Sequence, residues 1–339
     1  MKRSKSIVSL VVGIFILGLL VAGCGGGAKP EAKPEAKPAI QYPTKPVQIV
    51  VPAGAGGDTD TNARIMGKYL EKELGKAVVI VNSGAASGTS GTKKVKDAPP
   101  DGYTVLFYHP GFPLHRIMGL TDFSYDDLAV ANVALLDDTN VFAVSAESKF
   151  KTMKDVIDQS KANPKSVKFA TEVGNFTHIH VLAVEEKAGI KLNVVDVGSA
   201  AAKTAALMGN QIDIIGTQYG LIKQYIDAGK FRVVGVLSDK RHPKMANVPT
   251  FKEQGIDVAF SKYFFFAFPK GTPKEIIEKF NAAVEKVSKN PDFKAEMDKF
   301  MITTNYMPTA KAIEYLKKDE AVLKGLVEKA GFAGAAKKK

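Results

Sequence analysis

Between an apolar run and an amphipathic one the chain carries VPAGAGGDTDTNAR, residues 51–64. Gly54, Gly56 and Gly57 lack a Cβ, so the backbone there can turn tightly and approach a bound group closely. Ala53, Gly56, Gly57, Asp58, Thr59 and Asp60 thus stand where a strand hands over to a helix. The first N–H groups of that helix have no partner inside it, and they favour a carboxylate or phosphate. Thr59 or Asp60 is expected to cap it. A P-loop would need Gly-Lys-Ser/Thr at the helix start, where this chain has Asp58, Thr59 and Asp60. The run GAGG also breaks the G-x-G-x-x-G spacing, so both nucleotide readings are poor.

Three further small-residue loops share this character. NSGAASGTSGT (82–92) offers Ser87 and Thr89, EVGNFTHIH (172–180) offers Gly174, Asn175, Thr177 and His178, and DVGSAAA (196–202) offers Ser199. His109 opens HPGFPLH (109–115). Four such loops in one chain predict a cleft that grips a ligand by its polar ends. His178 and His180 form an H-x-H, but residues two apart on a helix do not face each other, and a metal site wants three or four converging ligands. No metal site is expected. No G-x-S-x-G elbow accompanies the serines, and the acid pairs Asp126/Asp127 and Asp137/Asp138 sit in turn-like contexts, so no enzyme is expected.

The elements that must position these loops alternate. VQIVVPA, AVVIVN, DGYTVLFYH, VFAVSAES, VKFATE, LNVVDVG, QIDIIGT and RVVGVLSD read as strands. TNARIMGKYLEKEL, TMKDVIDQSKANP, HIHVLAVEEKAG and AAKTAALMG read as the helices between them, with two more after Pro273. Such alternation predicts an α/β fold of mainly parallel sheets, with ligands bound outside the carboxyl ends of the strands. YFFFAFPKGTP (263–273) reads as a buried strand near an interlobe crossing, or as a wall of the pocket.

The ends of the chain speak to location. Lys2, Arg3 and Lys5 precede an apolar stretch from Ile7 to Val21, then LVAGCGGG, in which Cys24 is the single cysteine of 339 residues. This is the layout of a lipoprotein signal: residues 1–23 removed and Cys24 lipidated. The Lys-Pro and Glu-Ala units that follow cannot build a core, so residues 24–41 read as the lipidated cysteine and a flexible linker. The net charge is +12, but Lys2, Arg3, Lys5 and the terminal Lys337–Lys339 account for six of it. No basic block is interleaved with aromatics, which argues against nucleic-acid binding.

YPTKPVQIVVPAGAGGDTD, DGYTVLF, GNFTHIH, GSAAAKTAALMGNQID and VPTFKEQGI…FPKGTP together resemble the marker segments of the tripartite tricarboxylate transporter receptors, or Bug proteins. The resemblance runs in order from Tyr42 to about Met307. It implies the two-lobed fold of type II periplasmic binding proteins, with a ligand cleft between the lobes. It also implies a monomeric carrier that delivers a small organic acid to integral-membrane permease subunits, without a cofactor. By the resemblance, residues 53–60 and Gly174, Asn175, Thr177 and His178 clamp one ligand carboxylate, and SGAASGTSG and Ser199 complete the pocket. Members often have a further glycine where this chain has Asp58, which could receive a ligand hydroxyl or ammonium, or turn outward as a cap. Asp196 and Val197 replace the usual Tyr-Lys, and HPGFPLH is also unusual, so the distal end of the ligand is expected to differ from a plain di- or tricarboxylate.

The expected organisation is residues 42–143 with 264–339 as the first lobe and 144–263 as the second, with crossings near Val144 and Lys262. The expected product is an exported, envelope-anchored solute-binding lipoprotein. The alternative is a lipoprotein that presents its bound solute to a signalling receptor.

Overall fold

The computed structural model describes residues 40–329 and 331. The signal segment, Cys24 and the linker as far as residue 39 lie outside the described residues. The chain begins β1 (Val47–Val51), α1 (Asp58–Leu74), β2 (Val78–Asn82), α2 (Thr89–Lys96), β3 (Thr104–Tyr108), α3 (Gly111–Ile117), β4 (Leu128–Asp137). It continues β5 (Asn140–Ser145), α4 (Met153–Ala162), β6 (Lys168–Thr171), α5 (Phe176–Ala188), β7 (Asn193–Asp196), α6 (Ala200–Met208), β8 (Ile214–Gln218), α7 (Tyr219–Asp227), β9 (Phe231–Val236). It closes with β10 (Lys262–Pro269), α8 (Lys274–Lys289), α9 (Pro291–Asp298), β11 (Thr303–Pro308) and α10 (Thr309–Lys329).

These strands form two sheets, ordered β11-β4-β10-β3-β1-β2 and β7-β6-β8-β5-β9. Each is the centre of one lobe. The β1–β2, β1–β3, β6–β7 and β6–β8 pairs are parallel, whereas β10 runs antiparallel to β3 and β4, and β5 to β8 and β9. The aromatic run is β10, an inner strand buried along its whole length. Its period of two sends Phe264, Phe266 and Phe268 into the core under α1, α8 and α9. Tyr263, Phe265 and Ala267 go to the opposite core, with Val95 of α2, Phe112 of α3 and Leu316 of α10. A fully buried phenylalanine contributes about 1.5–3 kcal/mol, so this strand is the main anchor of the first lobe.

The lobe boundaries differ from the expected ones at two places. The first crossing falls at Asp138–Thr139, not near Val144, because Asn140–Val144 pair with β8 and Val141–Ser145 with β9. Asp137 shapes the turn: its carboxylate accepts from Thr139 N at 2.8 Å, Thr139 Oγ1 at 2.6 Å and Asn140 Nδ2 at 3.1 Å. The second crossing is at Ser261, where β10 begins with Lys262. The tail does not belong wholly to the first lobe either. α10 places Ala312 and Leu316 in the first lobe's core but Leu323 and Val327 in the second's. It is a strap across both. β4, α2, α3, α7, α9 and β11 had no separate expectation, and no helix among the described residues is long and apolar enough to cross a membrane.

Candidate functional site

Four helices aim their N-termini at one cavity between the lobes. α1 brings Gly57, Asp58 and Thr59; α5 brings Asn175, Phe176 and Thr177; α6 brings Ser199 and Ala200; α7 begins just after Gln218. Each follows a strand's carboxyl end, where sheet topology puts ligand sites. Each N-terminus carries roughly half a positive charge and unpaired N–H groups, so the cavity favours an anion before any side chain is counted. Asn175 and Ser199 cap their helices: Asn175 Oδ1 accepts from Phe176 N at 2.7 Å, and Ser199 Oγ from Ala202 N at 3.3 Å.

The loops that carry α1 and α6 touch across the cleft. A Cβ built on Gly54 would lie 3.0 Å from the Ser199 Cβ, so the lobes approach this closely only because residue 54 has no side chain. Elsewhere on the rim, Ser87 Oγ donates to the Val173 carbonyl at 2.8 Å. The cavity measures about 50 Å³. A small-molecule site commonly takes roughly 300–1,000 Å³, so a ligand of ordinary size enters by parting the lobes.

Asp58 does not turn outward as a cap. It turns into the cleft, where Lys262 Nζ forms an ion pair with Oδ2 and Thr59 N donates to Oδ1 at 2.8 Å. Burial alone would raise its pKa, but the Lys262 charge and hydrogen bond, with the Thr59 N–H, hold it well below the usual carboxylate range. Lys203 is 4% exposed and donates to the Gly216 carbonyl at 2.8 Å; burial brings its pKa down to about 8, opposed by Asp58 and Glu172. Burial raises the pKa of Glu172, opposed by Lys203 and by a hydrogen bond from Asn175. Burial and the Lys262 charge hold His109 neutral, and its Nδ1 accepts from Gly111 N at 2.9 Å.

Of the residues singled out in the sequence, Ala53, Gly57, Asp58, Thr59, His109, Asn175, Thr177 and Ser199 line the cavity. Gly56, Asp60, Ser87, Thr89, Gly174 and His178 do not. The α1 cap is Gly57, without a side-chain bond, in place of Thr59 or Asp60. Asp60 is buried and braces the loop from behind, accepting from Gly56 N at 2.9 Å, Arg64 Nε at 3.0 Å and Asn82 Nδ2 at 3.0 Å. His178 Nδ1 accepts from Gly174 N at 3.2 Å, and Thr89 Oγ1 donates to Ala86 O at 2.9 Å. Gly174 has φ +85°, a conformation that suits glycine. His180 is wedged between Phe176 and Phe260, away from the cleft.

Gly54, within the loop 53–60 assigned to the ligand, also lines the cavity, and the sequence reading missed Asn140, Glu172, Phe176, Ala200, Lys203, Thr217, Gln218 and Lys262 as lining residues. Thr217 and Gln218 end β8, so the strand-end rule could have found them, and Glu172 and Phe176 lay inside a quoted loop. Asn140 and Lys262 lie on the crossing segments, which carry no small-residue signal.

Comparison with known proteins agrees with this architecture. The family model described as "Tripartite tricarboxylate transporter family receptor" matches residues 62–332. The chain belongs to that family. The receptor is 28% identical over 302 residues to a Cupriavidus necator protein described as "UPF0065 protein in gbd 5'region", covering 88% of this chain and 91% of that protein. It superposes on the periplasmic binding protein BugD with a TM-score of 0.79 at 26% identity, covering 86% of the receptor and 99% of BugD. A Rhodopseudomonas palustris protein solved with adipate shares the fold at a TM-score of 0.81 and 23% identity, over 86% and 99% of the two chains. The receptor is therefore a two-lobed solute-binding protein of the periplasmic type.

Proposed function

We propose that this receptor captures a small organic acid between its lobes outside the cytoplasm and delivers it to integral-membrane permease subunits. The observation that carries the reading is the convergence of the α1, α5, α6 and α7 N-termini on one cavity with Lys203 in its wall. Fixed amide dipoles in a buried site bind a carboxylate at little reorganisation cost. Ligand binds where the lobes part, and closure over it shifts an open–closed equilibrium about the crossings at 138–139 and 261. Permease subunits then recognise the closed form. The reading requires no cofactor, and a single chain completes the site. Cys24, placed after small residues and an apolar stretch, tethers the receptor to the envelope by lipid, with residues 25–41 as the spacer. The adipate-bound neighbour is too distant to name the ligand, so the anion preference rests on this chain's own loops.

A thermal-shift screen of the purified protein against small carboxylates tests the reading. Ligand at 100 times Kd adds about 2.7 kcal/mol of stability, which is readily seen. Stabilisation by at least one acid, with loss of its uptake in cells lacking the gene, is expected. No stabilisation by any acid would contradict it.

A further inference from the structure

Four charged side chains line the cleft, but they are not equally occupied. Lys262 and Asp58 are committed to each other. Lys203 spends one N–H on the Gly216 carbonyl and keeps two donors and its charge. Glu172 makes no ion pair within 4 Å among the described residues; it takes a hydrogen bond from Asn175, and the Lys203 charge is near enough to oppose its raised pKa. The site thus holds a separated pair, a cation on one wall and an acid on another. A dianion would satisfy Lys203 and the helix N-termini, then set its second carboxylate against Glu172, and like charges in apposition are penalised.

The wall beside this pair asks for a hydrogen-bond donor. Gln218 Nε2 donates to the Phe300 carbonyl at 3.5 Å, an orientation that leaves Oε1 as the free acceptor. That oxygen and Thr217 Oγ1 are buried, in residues 2% and 4% exposed, and neither has a hydrogen-bond partner. Buried polar atoms are ordinarily paired, so two such atoms lining one cavity mark where a ligand supplies the partner. A ligand hydroxyl would supply one donor and no charge. An ammonium supplies three donors and the charge that Glu172 lacks.

We propose that the ligand is a small zwitterion of amino-acid type, its carboxylate at the helix N-termini beside Lys203 and its ammonium on Glu172 and the Gln218 carbonyl. The proposal rests on the organic-acid reading above and narrows it: the ligand completes the Lys203–Glu172 pair as an inserted dipole.

Calorimetric titration of the purified protein tests this with the standard L-amino acids, each beside its deaminated counterpart (propionate for alanine, succinate for aspartate, glutarate for glutamate). At least one amino acid is expected to bind, with its counterpart at least a hundredfold weaker. Glu172→Gln should weaken the amino acid tenfold or more and leave the deaminated acid unchanged or tighter. Gln218→Met should also cost the amino acid more than its counterpart, which keeps the test intact if Glu172→Gln does not fold. A deaminated acid that binds as tightly as its amino acid would overturn the zwitterion and leave the carboxylate receptor standing. If no member of either series binds, the zwitterion is overturned, and the organic-acid reading falls with it only when the wider carboxylate screen is also negative.

Discussion

Asp58 in the first turn of α1 and Lys262 at the head of β10 form a buried ion pair inside the cleft, with side chains 17% and 5% exposed. The pair ties the anion loop of the first lobe to the second crossing. Neither partner is therefore available as a simple ligand charge, and the loop's position depends on the crossing.

Removing one partner strands the other. Lys262→Met should destabilise the protein by about 3–5 kcal/mol, whereas the double variant Asp58→Asn/Lys262→Met should recover much of that loss. Denaturant midpoints of the three proteins check this. Because the folded pKa of Asp58 is depressed, its contribution is present above about pH 4 and is lost as pH falls below that.

Asp137 has the opposite sign. Burial raises its pKa to about 6, despite three hydrogen bonds from Thr139 and Asn140, so the folded state holds its proton after the unfolded chain has released it. Its share of stability is full below about pH 4 and falls as pH rises to about 6, by roughly 3 kcal/mol. The unfolding free energy of Asp137→Asn, compared with the parent between pH 4 and 7, should lack that decline.

Lys203 gives binding its own pH dependence. With its pKa brought down to about 8, the lysine loses its charge as pH rises through 8, and affinity for a carboxylate should fall over the same range. Lys203→Met should bind weakly and show no such limb in titrations from pH 6.5 to 9.5.

The Ser87–Val173 contact spans the lobes, so it should stabilise closure more than folding. Ser87→Ala should weaken ligand binding roughly two- to fivefold and leave the ligand-free unfolding midpoint nearly unchanged. By contrast Leu323→Ala, in the part of α10 buried against the second lobe, should cost about 2–5 kcal/mol without a specific loss of affinity.

The glycine and hydroxyl loops were legible in the sequence because an anion site built on helix N-termini needs small residues just before the helix. That signature found Gly57, Asn175 and Ser199. It passed over Lys203 and Lys262, since a lone lysine in an apolar segment reads as a snorkelling surface charge until the opposite lobe is in place. It also selected Asp60 and His178, polar residues in the right loops whose side chains face backwards to brace the backbone. The first crossing was misplaced because VFAV is apolar enough for either sheet, and strand pairing decides which takes it. The turn that marks it, Asp137-Asp138, was visible but could not be ranked above other turns. The strap α10 read as a single helix; nothing in its periodicity tells that its two ends serve different lobes.

The most direct measurement is a calorimetric titration of a stabilising acid into the parent protein and into Gly54→Val, whose new side chain would meet Ser199 across the cleft. One ligand per chain in the parent, with binding lost or weakened at least thirtyfold in a variant of unchanged ligand-free stability, is the result this account predicts. Equal affinity in Gly54→Val would show that the acid binds elsewhere, and would contradict the cleft as the site.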